Sequence, residues 1–192
     1  MKMLFIFTSF VSIVLLVILS QITPMSLEVP QQATYMRKTL FLDRTFTEDE
    51  VEYITSAALE WTDKTNHTID FNVVILPNME EFFGPDDILV VKASPDYPDI
   101  LVKDIESGNA TLGLYTSKID MNVIYLVSSR ITNEKYKAVM LHELGHALGL
   151  DHNEGWEGIN TLMYAYADLS ASHITNKDLI IFCEKYKCKS QN

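Results

Sequence analysis

Beyond residue 34 the chain switches between two hydrophobic periods. From Tyr35 to Asp43 (YMRKTLFLD) successive side chains trade faces. Met36, Leu40 and Leu42 share one face and Tyr35, Thr39 and Phe41 the other, which predicts a strand. Thr47 followed by Glu48, Asp49 and Glu50 makes a capping box, with acids at the positive end of a helix dipole. Val51, Ile54, Ala58 and Trp61 then recur at helical spacing, so the helix should lay one face on a sheet. Ile69 to Leu76 (IDFNVVIL) reads as a strand stopped by Pro77. Ile88 to Ala93 (ILVVKA) is nearly all apolar, as a strand covered on both faces must be. Pro95 to Glu106, with two prolines and several acids, reads as a loop. Ala110 to Thr116 (ATLGLYT) and Asn122 to Val127 (NVIYLV) are two further strands. Thr132 or Asn133 caps a helix running to about Leu148. Thr175 with Asp178 opens the last helix, which ends near Tyr186. No internal repeat is visible. The order is strand, helix, four strands, two helices, which predicts one α/β (α+β) domain around a mixed sheet.

The N-terminus follows another pattern. Leu4 to Leu19 carries no charge and Lys2 precedes it. That is the layout of a secretory signal, with small Ser20 near the exit. The run is slightly short for a membrane span of about 20 residues. Residues 1–22 are thus expected to be a cleaved signal peptide or an N-terminal membrane anchor, 23–34 a linker and 35–192 the folded domain. Both readings place the domain outside the cytoplasm, secreted or held at the membrane surface by residues 1–22 alone.

Composition narrows the partners. Lys plus Arg is 15 and Asp plus Glu is 26, a net charge of −11. An acidic chain is a poor nucleic-acid binder, because phosphate contacts need cations. Two cysteines build neither a disulfide-dense scaffold nor a four-cysteine metal site.

The chemistry concentrates in His142-Glu-Leu-Gly-His-Ala-Leu-Gly-Leu-Asp-His152. His142 and His146 are one helical turn apart, so both imidazoles leave one face and can converge on an ion. Glu143 stands about 100° round the helix, off the ligand set but able to reach a water beside the metal. Gly149 can adopt the left-handed conformation that ends a helix and turns the chain back. That turn lets His152 approach as a third ligand. Three imidazoles leave one tetrahedral position open, the arrangement of a catalytic zinc. HExxH alone is a short pattern with two open positions. Here Met140, Leu141, Leu144, Ala147 and Leu148 make most of the helix apolar. Two histidines and a glutamate on such a helix are costly to bury without a partner.

HELGHALGLDH resembles the extended zinc motif of the metzincin clan, and its wording is nearest the matrixins. Thr161-Leu-Met-Tyr164 is similar to the metzincin Met-turn, with Met163 as the Met-turn residue. Ala57 to Trp61 (AALEW) is similar to the first matrixin helix. The resemblance covers Tyr35 to Tyr186. It implies a twisted five-stranded sheet, two long helices, a C-terminal helix and one catalytic zinc on His142, His146 and His152, with Glu143 as general base. It also implies that a polypeptide substrate pairs with an antiparallel edge strand, which by chain order holds Thr111, Leu112, Gly113, Leu114 and Tyr115. The sequence departs from the family in several places. Ala165 stands where matrixins usually have Pro after Met-Tyr, and the stretch from His152 to Met163 is longer than usual. Only His67 and His173 lie outside the motif, too few for the second, structural zinc of animal matrixins.

Lesser signals remain. Glu80, Glu81, Asp86, Asp87, Asp96, Asp99, Asp104 and Glu106 read as solvated loop charge, with calcium as the alternative, although no EF-hand spacing is present. Cys183 shares the apolar face of the last helix with Leu179, Phe182 and Tyr186. It is either a buried thiol or bonded to Cys188, and bonding requires the helix to end between them. Asn66-His-Thr and Asn109-Ala-Thr are glycosylation sequons. The expected protein is a monomeric zinc metalloendopeptidase acting on extracellular or surface polypeptides. The rival is a zinc protein that only holds peptides, and Glu143 argues against it because pure binding gives a base no task.

Overall fold

The computed structural model describes residues 35–76, 84–118, 121–168 and 170–188. The signal or anchor and the linker lie outside them, as do Pro77, Glu80 and Glu81. The elements run β1 (Met36–Leu42), α1 (Glu48–Lys64), β2 (Ile69–Ile75), β3 (Asp87–Lys92), α2 (Pro98–Ser107), β4 (Gly113–Lys118), β5 (Met121–Leu126), α3 (Asn133–Ala147) and α4 (Asn176–Tyr186). The sheet order is β2-β1-β3-β5-β4. Its first four strands are parallel, and β4 joins β5 antiparallel at one edge.

Both faces of the sheet are covered, and β3 shows why its sequence is almost uniformly apolar. Ile88 and Val90 enter the core shared with α1 and α3. Leu89 enters a second core on the opposite face, with Val123, Tyr125 and Ile100 of α2. Alternate residues thus meet different layers, and neither set can be polar.

Both capping boxes form. The Thr47 amide donates to Glu50 Oε2 at 2.7 Å and the Glu50 amide to Thr47 Oγ1 at 3.3 Å. Ile54, Ala57, Ala58 and Trp61 of α1 are buried. Trp61 joins the two long helices, because its indole N–H donates to the Leu141 carbonyl of α3 at 3.0 Å. Truncating such a residue typically costs about 3–5 kcal/mol.

The stretch expected as a loop, Pro95 to Glu106, instead contains α2. Pro98 occupies the first turn, where its missing N–H is not needed. Ile100 is fully buried. Gly108, at φ 68°, ends the helix by donating to the Asp104 carbonyl. The prolines that signalled a loop start a helix. Strand β4 also begins at Gly113, three residues later than its pattern suggested. The Thr111 amide is taken by Asp104 Oδ1 at 2.7 Å and its carbonyl by Arg130 Nη1 at 3.1 Å.

Candidate metal centre

Three side chains converge above α3. His142 Nε2 lies 3.2 Å from His152 Nε2, and His146 Nε2 lies 3.0 Å from the same atom. Gly149 makes this possible. It takes φ +72°, and its amide donates to the His146 carbonyl at 2.7 Å, turning the chain back toward the helix. The turn is gripped from α4, where Lys185 Nζ donates to the Gly149 carbonyl and the Tyr186 hydroxyl to the Leu148 carbonyl, both at 2.8 Å.

The other ring nitrogens fix the tautomers. His142 Nδ1 donates to the Leu162 carbonyl at 2.7 Å and His146 Nδ1 to the Leu150 carbonyl at 2.8 Å. Their Nε2 atoms therefore carry lone pairs, both aimed at His152. Burial, then the neighbouring His146, pushes His142 down to about 4. Burial likewise lowers His146 and His152, so all three are neutral near pH 7. One neutral His152 ring has a single proton to share between two lone pairs. A divalent cation satisfies all three nitrogens. Two nitrogens at 2.0–2.1 Å from a tetrahedral zinc stand about 3.4 Å apart, close to the spacing here. The donor set fits zinc. Among the described residues these three form the one group of three or more His, Cys, Asp or Glu side chains able to share an ion.

The turn read as a Met-turn lies against this site. Met163 is buried and packs on Gly145 of α3, where a side chain at 145 would strike its sulfur. The Met163 carbonyl accepts from the Asn153 amide at 2.8 Å, just beyond His152. What holds the turn is Asp178, which was legible only as a helix cap. Its carboxylate is fully buried and accepts from the amides of Leu162 at 3.0 Å, Met163 at 3.2 Å and Thr175 at 2.9 Å. Asp178 thus fixes Leu162, and the Leu162 carbonyl fixes His142.

Glu143 is buried between α3 and the edge strand. Burial pushes its carboxyl up to about 8, against the opposing pull of the Tyr115 amide, which donates to it, and of the Lys103 charge. Of the five edge-strand residues expected to meet substrate, two turn outward. Val127 donates to the Leu112 carbonyl at 2.9 Å, and Leu114 pairs with Tyr125. Leu112 and Leu114 therefore point their main chain at β5, while Gly113 and Tyr115 point away from it.

The acidic residues read as an alternative calcium site do not gather among the described residues. Asp86 pairs with Lys38, Asp87 caps the Gly84 amide, and Asp104 pairs with Arg130. Calcium gains no support. Cys183 and Cys188 are bonded, and α4 ends between them, at Tyr186.

Residues 31–187 match the family model described as Matrixin. The chain belongs to the matrixin family. Rabbit (Oryctolagus cuniculus) macrophage metalloelastase is 28% identical over 137 residues, covering 68% of this matrixin and 28% of that protein. The chain thus spans a little over a quarter of its curated relative's length. Among solved structures, an archaemetzincin from Methanopyrus kandleri superposes with a TM-score of 0.50 at 12% identity, over 83% of this chain and 99% of that one. A zinc-dependent peptidase from Methanocorpusculum labreanum gives 0.46 at 13% identity, over 76% and 99%. The likeness to the archaemetzincin is one of fold. It agrees with the five-stranded mixed sheet.

Proposed function

We propose that this matrixin is a zinc-dependent endopeptidase in which His142, His146 and His152 hold the metal and Glu143 is the general base. The observation that carries the reading is the pairing of three neutral, convergent imidazoles with a buried carboxyl one residue along the same helix. When bound, zinc supplies a Lewis acid that lets water lose a proton near neutral pH. Glu143 accepts that proton and returns it to the leaving amine. Leu162 and Leu150 keep the ligand nitrogens unprotonated through their carbonyls. Asp178, through Leu162, keeps His142 in place, and Met163 packs beneath α3 at Gly145.

The substrate in this reading is a polypeptide lying along β4, where the outward main chain of Gly113 and the Tyr115 carbonyl provide contacts independent of side chains, the Tyr115 amide being held by Glu143. A bonded cysteine pair suits an oxidising compartment, and residues 1–22 suit export or surface anchoring. Extracellular or surface proteins are therefore the expected substrates. Among the described residues no helix is long and apolar enough to cross a membrane. The domain is read as residues 35–192, acting as a monomer.

The test separates metal from chemistry. Purified protein should contain one zinc, and His146→Ala should lose it. Glu143→Gln should keep zinc and fold while hydrolysis of long peptides falls about 10²- to 10⁴-fold. A folded, active, metal-free preparation would overturn the metal assignment. Retention of more than a tenth of wild-type turnover by Glu143→Gln would overturn the base.

A further inference from the structure

The residues between the two bonded cysteines hold the turn that places two of the three histidines. Three successive carbonyls follow α3. The Leu148 carbonyl accepts from the Tyr186 hydroxyl at 2.8 Å, and the Gly149 carbonyl accepts from Lys185 Nζ at 2.8 Å. The Leu150 carbonyl accepts from His146 Nδ1 at 2.8 Å, and His152 follows two residues later. Carbonyls at a helix end lack partners within the helix, so donors from elsewhere fix them. Here α4 supplies two donors, and the third is a histidine of the metal centre. A side chain at 149 would strike Lys185 Nζ and stand 3.9 Å from the Tyr186 hydroxyl. The two residues thus close over the turn, with the lysine charge at the negative end of the α3 dipole.

Both donors lie in the last turn of α4, which ends at Tyr186. A last helical turn frays unless it is tied down. The Cys183–Cys188 bond encloses both donors in one covalent ring. Cys183 and Cys188 pack on the same core as Leu148 and Leu150. Within the ring the Lys187 amide donates to the Cys183 carbonyl at 2.8 Å, so the chain turns sharply just after Tyr186.

We propose that Lys185 and Tyr186 are positioning residues for His146 and His152, and that the Cys183–Cys188 bond keeps them over the turn, so that reducing the bond weakens the hold on zinc. The proposal rests on the zinc reading above and adds a redox control of the same site. The reductant is a dithiol. One of its thiolates attacks a sulfur of the pair, giving a mixed disulfide and freeing the other cysteine. Its second thiol then displaces the remaining cysteine. The pair gains two electrons and two protons, and the dithiol ends as its own disulfide.

The test measures zinc affinity of the full chain by competition with a chelator. Reduced protein, freed of dithiol before the measurement, should bind zinc about 10-fold more weakly than oxidised protein, and reoxidation should restore it. Replacing the pair by Cys183→Ser with Cys188→Ser should give the same loss. The two serines offer zinc no thiolate, so this variant separates loss of the clamp from metal captured by freed cysteines. Lys185→Met should weaken zinc about 10-fold and Tyr186→Phe in the same direction, while Lys185→Arg, which keeps a donor, should stay near wild type. Glu60→Gln, remote from this ring, should leave zinc affinity unchanged. A second arm follows hydrogen exchange in metal-free protein. The amides of Gly149 and Leu150, bonded to the carbonyls of His146 and Gly145, should exchange about 10-fold faster once the ring is opened. If the wild type takes up no zinc, the metal reading fails, and the exchange arm alone decides for the clamp. Unchanged zinc affinity in the serine pair or in Lys185→Met, an equal loss in Lys185→Arg or Glu60→Gln, or unchanged exchange at Gly149 and Leu150 would overturn the proposal.

Discussion

Gly113 of β4 and Glu143 of α3 touch so closely that no side chain fits between them. A Cβ on Gly113 would stand 2.5 Å from Glu143 Oε1 and 2.7 Å from its Cγ. The missing side chain of the edge strand is thus the space occupied by the proposed base, and the Tyr115 amide two residues on donates to the same carboxylate. Strand and base form one unit.

Gly113→Ala therefore acts on chemistry more than on stability. To regain ordinary contact the glutamate must move by roughly 1 Å, and a misplacement of about 1 Å costs about 10²-fold in rate. We expect kcat/KM to fall about 10- to 100-fold while zinc content and circular dichroism stay at wild-type levels. Wild-type kinetics in this variant would mean that the Glu143 position is not critical.

Asp178→Ala tests the support of the Met163 turn. The substitution leaves the buried amides of Leu162 and Met163 without an acceptor, together with that of Thr175 at the helix cap. Losses of about 3–5 kcal/mol are typical when one side of a buried charged network is removed. Because the Leu162 carbonyl orients His142, zinc affinity should fall as well. Denaturant titration and metal competition measure the two effects, and a loss of stability with unchanged zinc affinity would break the proposed link.

The pH dependence of stability should trace in part to Glu60. Burial raises this carboxyl, but Lys137 at 2.7 Å and the Ile174 amide at 3.0 Å more than offset that, and the group sits below its ordinary value of 4.5. A depressed carboxylate stabilises the fold above the unfolded value and loses that contribution as pH falls through the folded one. Glu50, held down by Lys92 and the Thr47 amide despite its own burial, acts in the same direction. Glu60→Gln should thus cost about 1–2 kcal/mol at neutral pH. Urea titrations should show that gap closing as pH falls below 4.5 and through the lowered folded value. A gap independent of pH would refute the assignment.

The Cys183–Cys188 bond closes a short loop at the end of α4. Loop-closure entropy assigns such a bond about 2 kcal/mol. Cys188→Ser should lower the melting temperature by about 4–8 °C. Reductant should destabilise the wild type similarly and leave the variant unaffected. A variant melting with the wild type would show that the helix end is held by other contacts, such as Tyr186 on Leu148.

Local patterns decided much of this molecule. The capping boxes at Thr47 and Thr175, the two-faced apolar run in β3 and the spacing of His142, His146 and Gly149 each encode their structure within a few residues, because helix caps, strand faces and single helical turns are short-range objects. Helix α2 was not legible. Proline ends a helix or begins one, and only the burial of Ile100 against a distant strand shows that Pro98 begins one here. The outward choice of Gly113 and Tyr115 over Leu112 and Leu114 depends on the pairing partner β5 and not on β4 itself. The second role of Asp178 and the contact of Gly113 with Glu143 both join residues 15 or more positions apart. The sequence by itself determined which atoms could hold a metal and take a proton. The tertiary structure decided what surrounds them, since packing between distant segments obeys no fixed spacing along the chain.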